Sequence, residues 1–236
     1  MVSQQNNMKT VCFLIPVKED IRVVERVTNL NKALKNSKIP SSIIHIIKDD
    51  DFDYEINEGS LTSNCSVIIS KNPNQIGKGS AVKYGLSLNE SDLICIIDSD
   101  ESISSEEVIK SCELYNEGTF LYGVRIYHNS SEKIRRVLGV IQNLLANLIS
   151  LKGYIQDTQC PLKIIDKNIA KLILDNLKIK GGMYDVQMFK IIQEKLIPLK
   201  LYPTLRSDEE TSILRLRNII LGDFFDLIKI RFQKVI

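Results

Sequence analysis

The first hundred residues alternate between two kinds of hydrophobic pattern. Four short, nearly continuous apolar runs have the length and β-branched content of buried strands, at 10–16, 42–48, 66–70 and 93–97. Residues 21–36 carry apolar side chains at helical spacing, and another helix is predicted to end near Leu88. Because strands and helices alternate, the pattern predicts an α/β fold with an open, mostly parallel sheet flanked by helices.

The pattern after residue 100 is less regular and more helical. It predicts, in order, a helix near 104–115, a strand near 119–126, a helix at 132–151, helices near 167–175 and 185–195, a strand near 197–203 and a closing helix at about 212–234. The helix at 132–151 is predicted to be amphipathic, with one apolar face made of Ile134, Val137, Leu138, Ile141, Leu144, Leu145 and Leu148. No repeat or Pro/Gly/Ser-rich linker interrupts the chain, so we expect one domain over 1–236, with a nucleotide-binding half at about 10–125 and an acceptor-side half at about 126–236.

Composition narrows the class of protein. The chain has 236 residues, of which 44% are hydrophobic and 25% charged, as in ordinary soluble proteins. Its net charge of +2 does not favour a nucleic-acid binder, which normally needs a strongly basic face. The 5 cysteines are scattered without a C-x-x-C pair, which favours a reducing, cytoplasmic setting.

Targeting and membrane signals are weak in this sequence. The first ten residues are polar, so no signal peptide of the usual design is expected, and the longest apolar stretch, 137–151, is too short to span a bilayer. The closing helix carries basic residues beside its apolar ones. We favour packing of this helix on the core, with peripheral contact to a membrane surface as the alternative.

Polar residues follow three of the predicted strands. These are the stretches 49–51, 74–79 and 98–100. In an open α/β sheet, ligands bind beyond the carboxyl ends of the strands, where all three stretches are expected to lie. Asp98 and Asp100, two residues apart, could share Mg2+ or Mn2+ with substrate phosphates, although such a doublet also arises easily in a solvated turn.

The stretch NQIGKGSAVKYG at 74–85 invites comparison with a phosphate-binding P-loop. Asn72 stands where that motif needs its first glycine, and Gly79 stands where it needs Ser or Thr, so the P-loop interpretation fails. What remains is a Gly-Lys-Gly turn that opens a helix. Its Lys78 and backbone N–H groups could hold an anion, or the turn could be a plain glycine-rich helix start.

Other candidates are ambiguous when taken one at a time. The three aspartates at 49–51 could accept hydrogen bonds from a base or ribose, or form a solvated acidic loop. Asp157 in DTQC could be a catalytic carboxylate or could cap a helix. The arginines Arg125, Arg135 and Arg136 could gather around a phosphate, although the last two would by default face water. The chain has 2 histidines, so few residues are present that could form a Ser-His-Asp triad.

Taken in order, the motifs resemble those of the inverting family 2 glycosyltransferases with the type A, Rossmann-like fold, especially the dolichyl-phosphate mannose and glucose synthases. The resemblance covers nearly the whole chain. The motifs that carry it are FLIPVKED for the family's I-P-x-x-N-E, IIKDDD for V-D-D-G-S, NPNQIGKGSAVKYG for N-x-G-K-G-x-A-x-x-x-G, IIDSD for D-x-D, YGVR for G-S-R, DTQCPLK for D-T-Q-C-G-F-K and YDVQM for F-D-x-E.

The resemblance implies a metal-dependent transfer of a hexose from a UDP- or GDP-sugar to a polyprenyl phosphate at the cytoplasmic face of a membrane. It implies Mg2+ or Mn2+ on Asp98 and Asp100, and catalytic roles for Asp157 and Asp100. An acceptor phosphate would meet Arg125 with Arg135 or Arg136. The donor would be bound by Pro16, Glu19, Asp49, Asp50, Lys78, Asp98 and Ser99.

Two acceptors differ in the chemistry they need. A polyprenyl phosphate, with a second pKa of about 6, is largely ionised at neutral pH and needs only positioning by arginines. A glycan hydroxyl needs a general base, for which Asp157 is the candidate. The arginines and DTQC favour the lipid phosphate. A glycan transferase and a nucleotide-sugar-binding module without activity are the alternatives, the latter because Asp51 and Phe52 replace the family's Gly-Ser, and Pro161 and Leu162 its Gly-Phe.

Overall fold

The computed structural model describes residues 10–126, 133–205 and 216–236, without the side chains at 58, 133–136, 138 and 216–221. Its strands are β1 (Val11–Val17), β2 (Ser42–Lys48), β3 (Cys65–Lys71), β4 (Leu93–Ile96), β5 (Phe120–Ile126), β6 (Lys163–Asp166) and β7 (Leu199–Leu205). Its helices are α1 (Arg22–Leu34), α2 (Lys78–Ser87), α3 (Ser105–Glu113), α4 (Lys133–Ser150), α5 (Lys167–Asn176), α6 (Tyr184–Glu194) and α7 (Leu216–Phe232), with a short 3-10 helix at Glu58–Ser60.

The described strands form one sheet in the order β3-β2-β1-β4-β6-β5-β7. Strand β6 runs antiparallel to both β4 and β5, and the other pairs are parallel. The predicted mostly parallel sheet with flanking helices is therefore confirmed. The sequence pattern did not predict β6. Its four residues, KIID, lead directly into α5 and are too few to show the alternation that identifies a strand.

The central strand β1 is buried along its whole length, as expected for a parallel strand covered on both faces. The sequence pattern ended this strand at Pro16, but pairing with β2 continues to Val17. Pro16 is itself buried in the strand and pairs with Ile47. The sheet edge that follows β1 therefore begins at Lys18.

Two apolar clusters cover the two faces of the sheet. On one face, α1 contributes Val23, Val27 and Leu30 to a cluster that also contains residues of α3. On the other, residues of α2, α5, α6 and α7 pack together. Each fully buried Leu or Ile contributes about 1.5–3 kcal/mol by leaving water, so both faces hold the strand ends firmly in place.

Helix α4 does not bury the apolar face that its periodicity predicts. Among the described side chains of that face, Val137 is 57% exposed and Leu148 is 69% exposed, while Ala146 is fully buried. The sequence predicts this apolar face but not its surroundings, since helical spacing alone does not say which face meets the sheet. The helix is tied to α7 by Ser150, whose Oγ donates to the carbonyl of Leu227 at 2.9 Å.

Helix α7 packs on the core through Leu227 and Ile230, which are 2% and 0% exposed. Phe224 and Phe232 of the same helix are exposed. The predicted start at 212–215 lies outside the described residues. In the parts of the chain that the structure describes, no helix combines the length and apolar character needed to cross a membrane.

Candidate active site

The candidate site lies at one edge of the sheet, where β1, β2, β4 and β5 all end because they run in the same direction. The predicted residues that follow these strands therefore share one edge. Since β6 runs the opposite way, it begins at this edge, and its first residue, Lys163, joins the group.

An acidic cleft of about 400 Å³ opens at the ends of β1 and β2, lined by Lys18, Glu19, Asp49, Asp50, Asp51, Phe52 and Gln75. The backbone is in the left-handed region at Glu19 (φ 48°) and Gln75 (φ 46°), an arrangement that costs energy and is common at binding sites. The ring of Phe52 is 45% exposed. An exposed ring can stack on a nucleoside and nearby carboxylates can accept its hydrogen bonds, whereas their negative charge repels phosphates.

The first aspartate after β2 ties this cleft to the Gly-Lys-Gly turn. The carboxylate of Asp49, which is 4% exposed, accepts from Asn72 Nδ2 at 2.7 Å and from the backbone N–H of Gly77 at 2.9 Å. Both of its oxygens therefore have partners inside the protein. Its contribution to a donor site includes support of the turn, which the sequence pattern did not predict.

Asp50 organises the loops on the other side of the cleft. Its carboxylate accepts from the backbone N–H of Glu19 at 2.5 Å, the hydroxyl of Tyr54 at 3.1 Å and the backbone N–H of Phe52 at 2.9 Å. Asp51 is exposed and pairs with Lys71. Asp49 and Asp50 are therefore fixed parts of the cleft, whereas Asp51 lies at its surface.

The two glycines of the Gly-Lys-Gly turn are required by close packing. Gly77 has φ 125°, and a Cβ added there would lie 2.8 Å from the carbonyl oxygen of Lys180. A Cβ on Gly79 would lie 2.5 Å from the carbonyl oxygen of Ile179 and 2.7 Å from Cβ of Tyr184. The turn therefore docks directly on the segment 179–184, and the lysine between the glycines is positioned by that contact.

Lys78 and Asp98 form an ion pair at the mouth of the site, with side chains 36% and 32% exposed. Burial opposes the charge of Asp98, but the charge and hydrogen bond of Lys78 outweigh it and hold the pKa of Asp98 below its usual value. Burial likewise opposes the charge of Lys78, but the neighbouring carboxylates, Asp98 first and Asp185 next, raise its pKa above the usual value. Both groups are charged at neutral pH.

The second carboxylate of the D-x-D motif belongs to a different network. Asp100 accepts from the backbone N–H of Ser102 at 3.1 Å, and its Oδ2 lies 3.6 Å from the guanidinium of Arg22. Arg22 also pairs with Asp20 at 2.8 Å, and Ser99 donates to Asp20 at 2.6 Å. Ser99 thus holds the loop that follows β1. Asp20 and Arg22 were not among the predicted site residues.

The D-x-D pair fits a hard divalent cation that shares its ligands with a substrate. Asp98 and Asp100 offer partly exposed carboxylates, and Asp98 is ionised without help from a metal. Among the described residues, no group of three or more His, Cys, Asp or Glu side chains converges to form a cage. Mg2+ and Mn2+ are commonly held by one or two carboxylates, with phosphate oxygens and water as the remaining ligands, so the residues present fit that arrangement.

Arg125 and Asp157 form a bidentate pair on the far side of the edge. Arg125 Nε and Nη2 donate to the two carboxylate oxygens at 2.7 and 2.8 Å, and the backbone N–H groups of Arg125 and Gln159 donate to them at 3.2 Å. Asn143 of α4 holds the loop by accepting from the backbone N–H of Thr158 at 2.9 Å. Asp157 lies in a loop before β6, so the helix-cap interpretation is wrong.

Arg135 and Arg136 lie on the first turns of α4, at positions whose side chains are outside the described residues. Their meeting with Arg125 around a phosphate stays a prediction.

Two buried side chains were missed by sequence reasoning. Lys163, which is 0% exposed, pairs with Asp185, which is 4% exposed, at the start of α6. The lysine inside the apolar run PLKII could have indicated a buried ion pair, since lysine is seldom fully buried without a partner. Asp185 belongs to YDVQM, which carried the family resemblance without an assigned role.

Similar solved structures define the class of fold. The structure of Mycobacterium tuberculosis glucosyl-3-phosphoglycerate synthase matches with a TM-score of 0.64 and 16% identity, over 95% of this chain and 82% of that one. The same enzyme in complex with Mn2+, UDP and phosphoglyceric acid matches with a TM-score of 0.63 and 14% identity, over 95% and 78%. The fold is therefore the type A glycosyltransferase fold, as predicted.

Sequence relatives narrow the class. A dolichyl-phosphate beta-glucosyltransferase of Trichomonas vaginalis is 24% identical over 162 residues, which cover 59% of this chain and 48% of the relative. One of Dictyostelium discoideum is 26% identical over 180 residues, covering 64% and 54%. The chain thus spans about half the length of the curated relatives it matches, and no family model matches it. The chain is related to the dolichyl-phosphate glucose synthases, as its motifs predict.

Proposed function

We propose that this chain carries the catalytic part of an inverting glycosyltransferase that moves a hexose from a nucleotide sugar to a polyprenyl phosphate. The observation that carries the proposal is the direct link between the acidic cleft and the Gly-Lys-Gly turn through Asp49. That link sets a nucleoside-sized site beside a cation-bearing turn. We further propose that residues 1–236 act as one domain, since strands β5 to β7 belong to the same sheet as β1 to β4.

The donor would lie across both parts of the site. Its nucleoside would occupy the cleft lined by Asp50 and Glu19, and its diphosphate would lie against Lys78 and the D-x-D motif. UDP-glucose is the first donor to test, because a related solved enzyme was crystallised with Mn2+ and UDP-glucose and the sequence relatives are named glucosyltransferases. A GDP-hexose is the second.

Charge grows on the nucleoside diphosphate as it leaves the sugar. A Mg2+ or Mn2+ ion held by Asp98 and Asp100 would supply positive charge to the departing diphosphate. Lys78 lies beside Asp98 and is charged at neutral pH, so it can donate to phosphate oxygens in the same place. Asp50 and Ser99 keep the surrounding loops in place.

On the acceptor side, the geometry favours an ionised phosphate over a hydroxyl. A polyprenyl phosphate is largely ionised near pH 7, because its second pKa is about 6, and needs no base. The oxygens of Asp157 already accept from Arg125 and from two backbone N–H groups. We infer that Asp157 orients Arg125 towards the acceptor phosphate, with Arg135 or Arg136 completing the contact.

A lipid acceptor requires access to a membrane surface. The exposed apolar face of α4, with Val137, Val140, Ile141, Leu144 and Leu148, is the surface that we propose for this contact. Arg231 in the last turn of α7 adds positive charge that favours anionic lipids, whereas the charge of Lys229 there is paired with Asp226 at 2.9 Å. The contact would be peripheral and on the cytoplasmic side.

The test is transfer of radiolabelled sugar in the presence of Mn2+ or Mg2+. UDP-glucose or a GDP-hexose is incubated with the purified chain and polyprenyl phosphate, and the products are extracted into organic solvent. Label in the organic phase, lost on chelation of the metal, is the expected result. Label that stays aqueous but enters added glycans would support the hydroxyl-acceptor alternative. Absence of donor turnover with every acceptor would favour a binding module and contradict the proposal.

A further inference from the structure

A second ion pair lies beneath the exposed pair of Lys78 and Asp98. Lys163 begins β6 opposite Ile96 of β4, just before the D-x-D motif, and donates to Asp185 and to the carbonyl of Cys160. Lys163 and Asp185 are almost completely enclosed, in contrast to the half-open pair above them. The two pairs therefore form an inner and an outer layer of the same site.

The ring of Tyr184 lies close to both ion pairs. Its centroid is 5.9 Å from Nζ of Lys78 and 6.0 Å from Nζ of Lys163, so both ammonium groups approach one aromatic ring. Burial, followed by the charge of Asp185, raises the pKa of the Tyr184 phenol well above its usual value, so the ring stays neutral. Both ammonium groups therefore lie near one neutral ring, and each has its own carboxylate partner.

The backbone connects the layers as closely as the charges do. Tyr184 and Asp185 are the first residues of α6, and Gly79 packs so tightly against Tyr184 that a Cβ would lie 2.7 Å from the Cβ of Tyr184. The backbone N–H of Ser80 donates to the carbonyl of Lys180 at 3.1 Å. The position of Lys78 is thus set by the segment that ends in Asp185.

Stability alone does not account for the inner pair. Removing two charges from water is costly, and buried ion pairs can often be replaced by apolar side chains without loss of stability. The Lys163–Asp185 pair lies near Lys78, because Tyr184, the neighbour of Asp185 in α6, has its ring centroid 5.9 Å from Nζ of Lys78. After Asp98, Asp185 is the carboxylate that most favours the charged form of Lys78 and so raises its pKa.

We propose that Asp185 is a positioning residue for Lys78, with Lys163 as its buried counter-ion and the Tyr184 ring close to both ammonium groups. Attracted by both Asp185 and Asp98, Lys78 is aimed at the mouth of the site. The inference rests on the proposed function only in naming a nucleoside diphosphate as the group that this lysine meets.

Three variants separate positioning from packing. Asp185→Asn keeps the shape and removes the charge. The double variant Lys163→Met with Asp185→Leu replaces the inner pair by apolar side chains, so it leaves no unpaired buried charge if the single variant folds poorly. Glu194→Gln is the matched control, because it removes a carboxylate from the far end of the same helix, where the partner is Lys190 at 3.6 Å.

The first measurement is binding of UDP by calorimetry and of uridine, which has no phosphate, by ligand-observed NMR. Both Asp185 variants are expected to bind UDP about tenfold more weakly, because one charge-assisted hydrogen bond is misplaced. Both are expected to bind uridine as tightly as the parent chain does. Glu194→Gln is expected to bind both normally. Unchanged UDP binding by the folded double variant would overturn the positioning role.

The second measurement needs no ligand. If Asp185 positions Lys78, the effects of Lys78→Met and Asp185→Asn on the unfolding equilibrium constant should depart from multiplicativity by about fivefold, because neighbouring charges in one network couple. Multiplicative effects would show that Asp185 does not hold Lys78 and would refute the inference. If the parent chain binds no nucleoside diphosphate while this coupling is present, the proposed function fails and the positioning of Lys78 stands.

Discussion

Replacing Asp157 with asparagine distinguishes the two acceptor chemistries. The change keeps the size of the side chain but removes its charge and one of the two oxygens that accept from Arg125. Hydrogen bonds to charged groups are worth about 1.5–3 kcal/mol in stability. Because the side chains of the pair are 20% and 11% exposed, solvent screens part of this, and we expect a loss of about 1–2 kcal/mol.

The kinetic consequences differ by role. If Asp157 orients Arg125 for a phosphate, Asp157→Asn should raise KM for the polyprenyl phosphate about tenfold and leave kcat within about threefold, since the loss lies in binding rather than chemistry. If Asp157 is a general base for a hydroxyl, kcat should fall by about 10²–10⁴ with little change in KM. The two roles therefore affect different constants.

The assay is initial-rate transfer at varied polyprenyl phosphate and saturating donor, with unfolding in urea measured in parallel. Asp175→Asn, an exposed carboxylate on α5, is the control and should change neither constant. A large fall in kcat with unchanged KM would refute the orienting role of Asp157. Arg125→Lys should reproduce the KM effect, because lysine cannot form the bidentate pair.

Three further predictions follow from the same geometry. Asp100→Ala should abolish metal-dependent donor turnover and leave the fold intact, as measured by circular dichroism. An unaltered rate would exclude a metal role for Asp100. Burial raises the pKa of Asp223 to about 6, so ionisation of this carboxyl destabilises the folded chain as pH rises through that value. Asp223→Asn should therefore increase the free energy of unfolding by about 1 kcal/mol at pH 7.5 but not at pH 3.5, as measured by urea unfolding. Gly85→Ala places a Cβ 2.4 Å from Leu14 Cδ1 and should cost about 1–3 kcal/mol in the same assay, whereas Gly222→Ala, with open space around it, should cost nothing.

The parts of the site that could be predicted are those carried by short sequence patterns. Asp98 and Asp100 directly follow a buried strand, so the strand pattern alone predicts that they lie at the ligand-binding edge of the sheet. The Gly-Lys-Gly turn is also visible in sequence. The reason for its second glycine is not visible there, because the contacts that require Gly79 come from Ile179 and Tyr184, about a hundred residues later.

The features that the sequence did not predict have a common physical origin. Strand β6 is missed because four residues carry almost no periodic signal, although neighbouring strands pair with it on both sides. The apolar face of α4 is visible in sequence, but periodicity describes a helix by itself and does not say which face the sheet covers. Asp49 is visible as a carboxylate, while its partners Asn72 and Gly77 are brought to it only by folding.

By itself, the sequence determined the alternation of strands and helices, the polar residues at the strand ends and the family resemblance, because these depend on neighbours along the chain. Only the tertiary structure decided that Lys163, on an antiparallel strand, forms an ion pair with Asp185 in the site, and that Arg125 forms a bidentate ion pair with Asp157. Those contacts join residues far apart in sequence, and their strength depends on the exclusion of water by the assembled sheet and helices. Local patterns therefore locate the ligand-binding edge, and packing decides how its charges are paired.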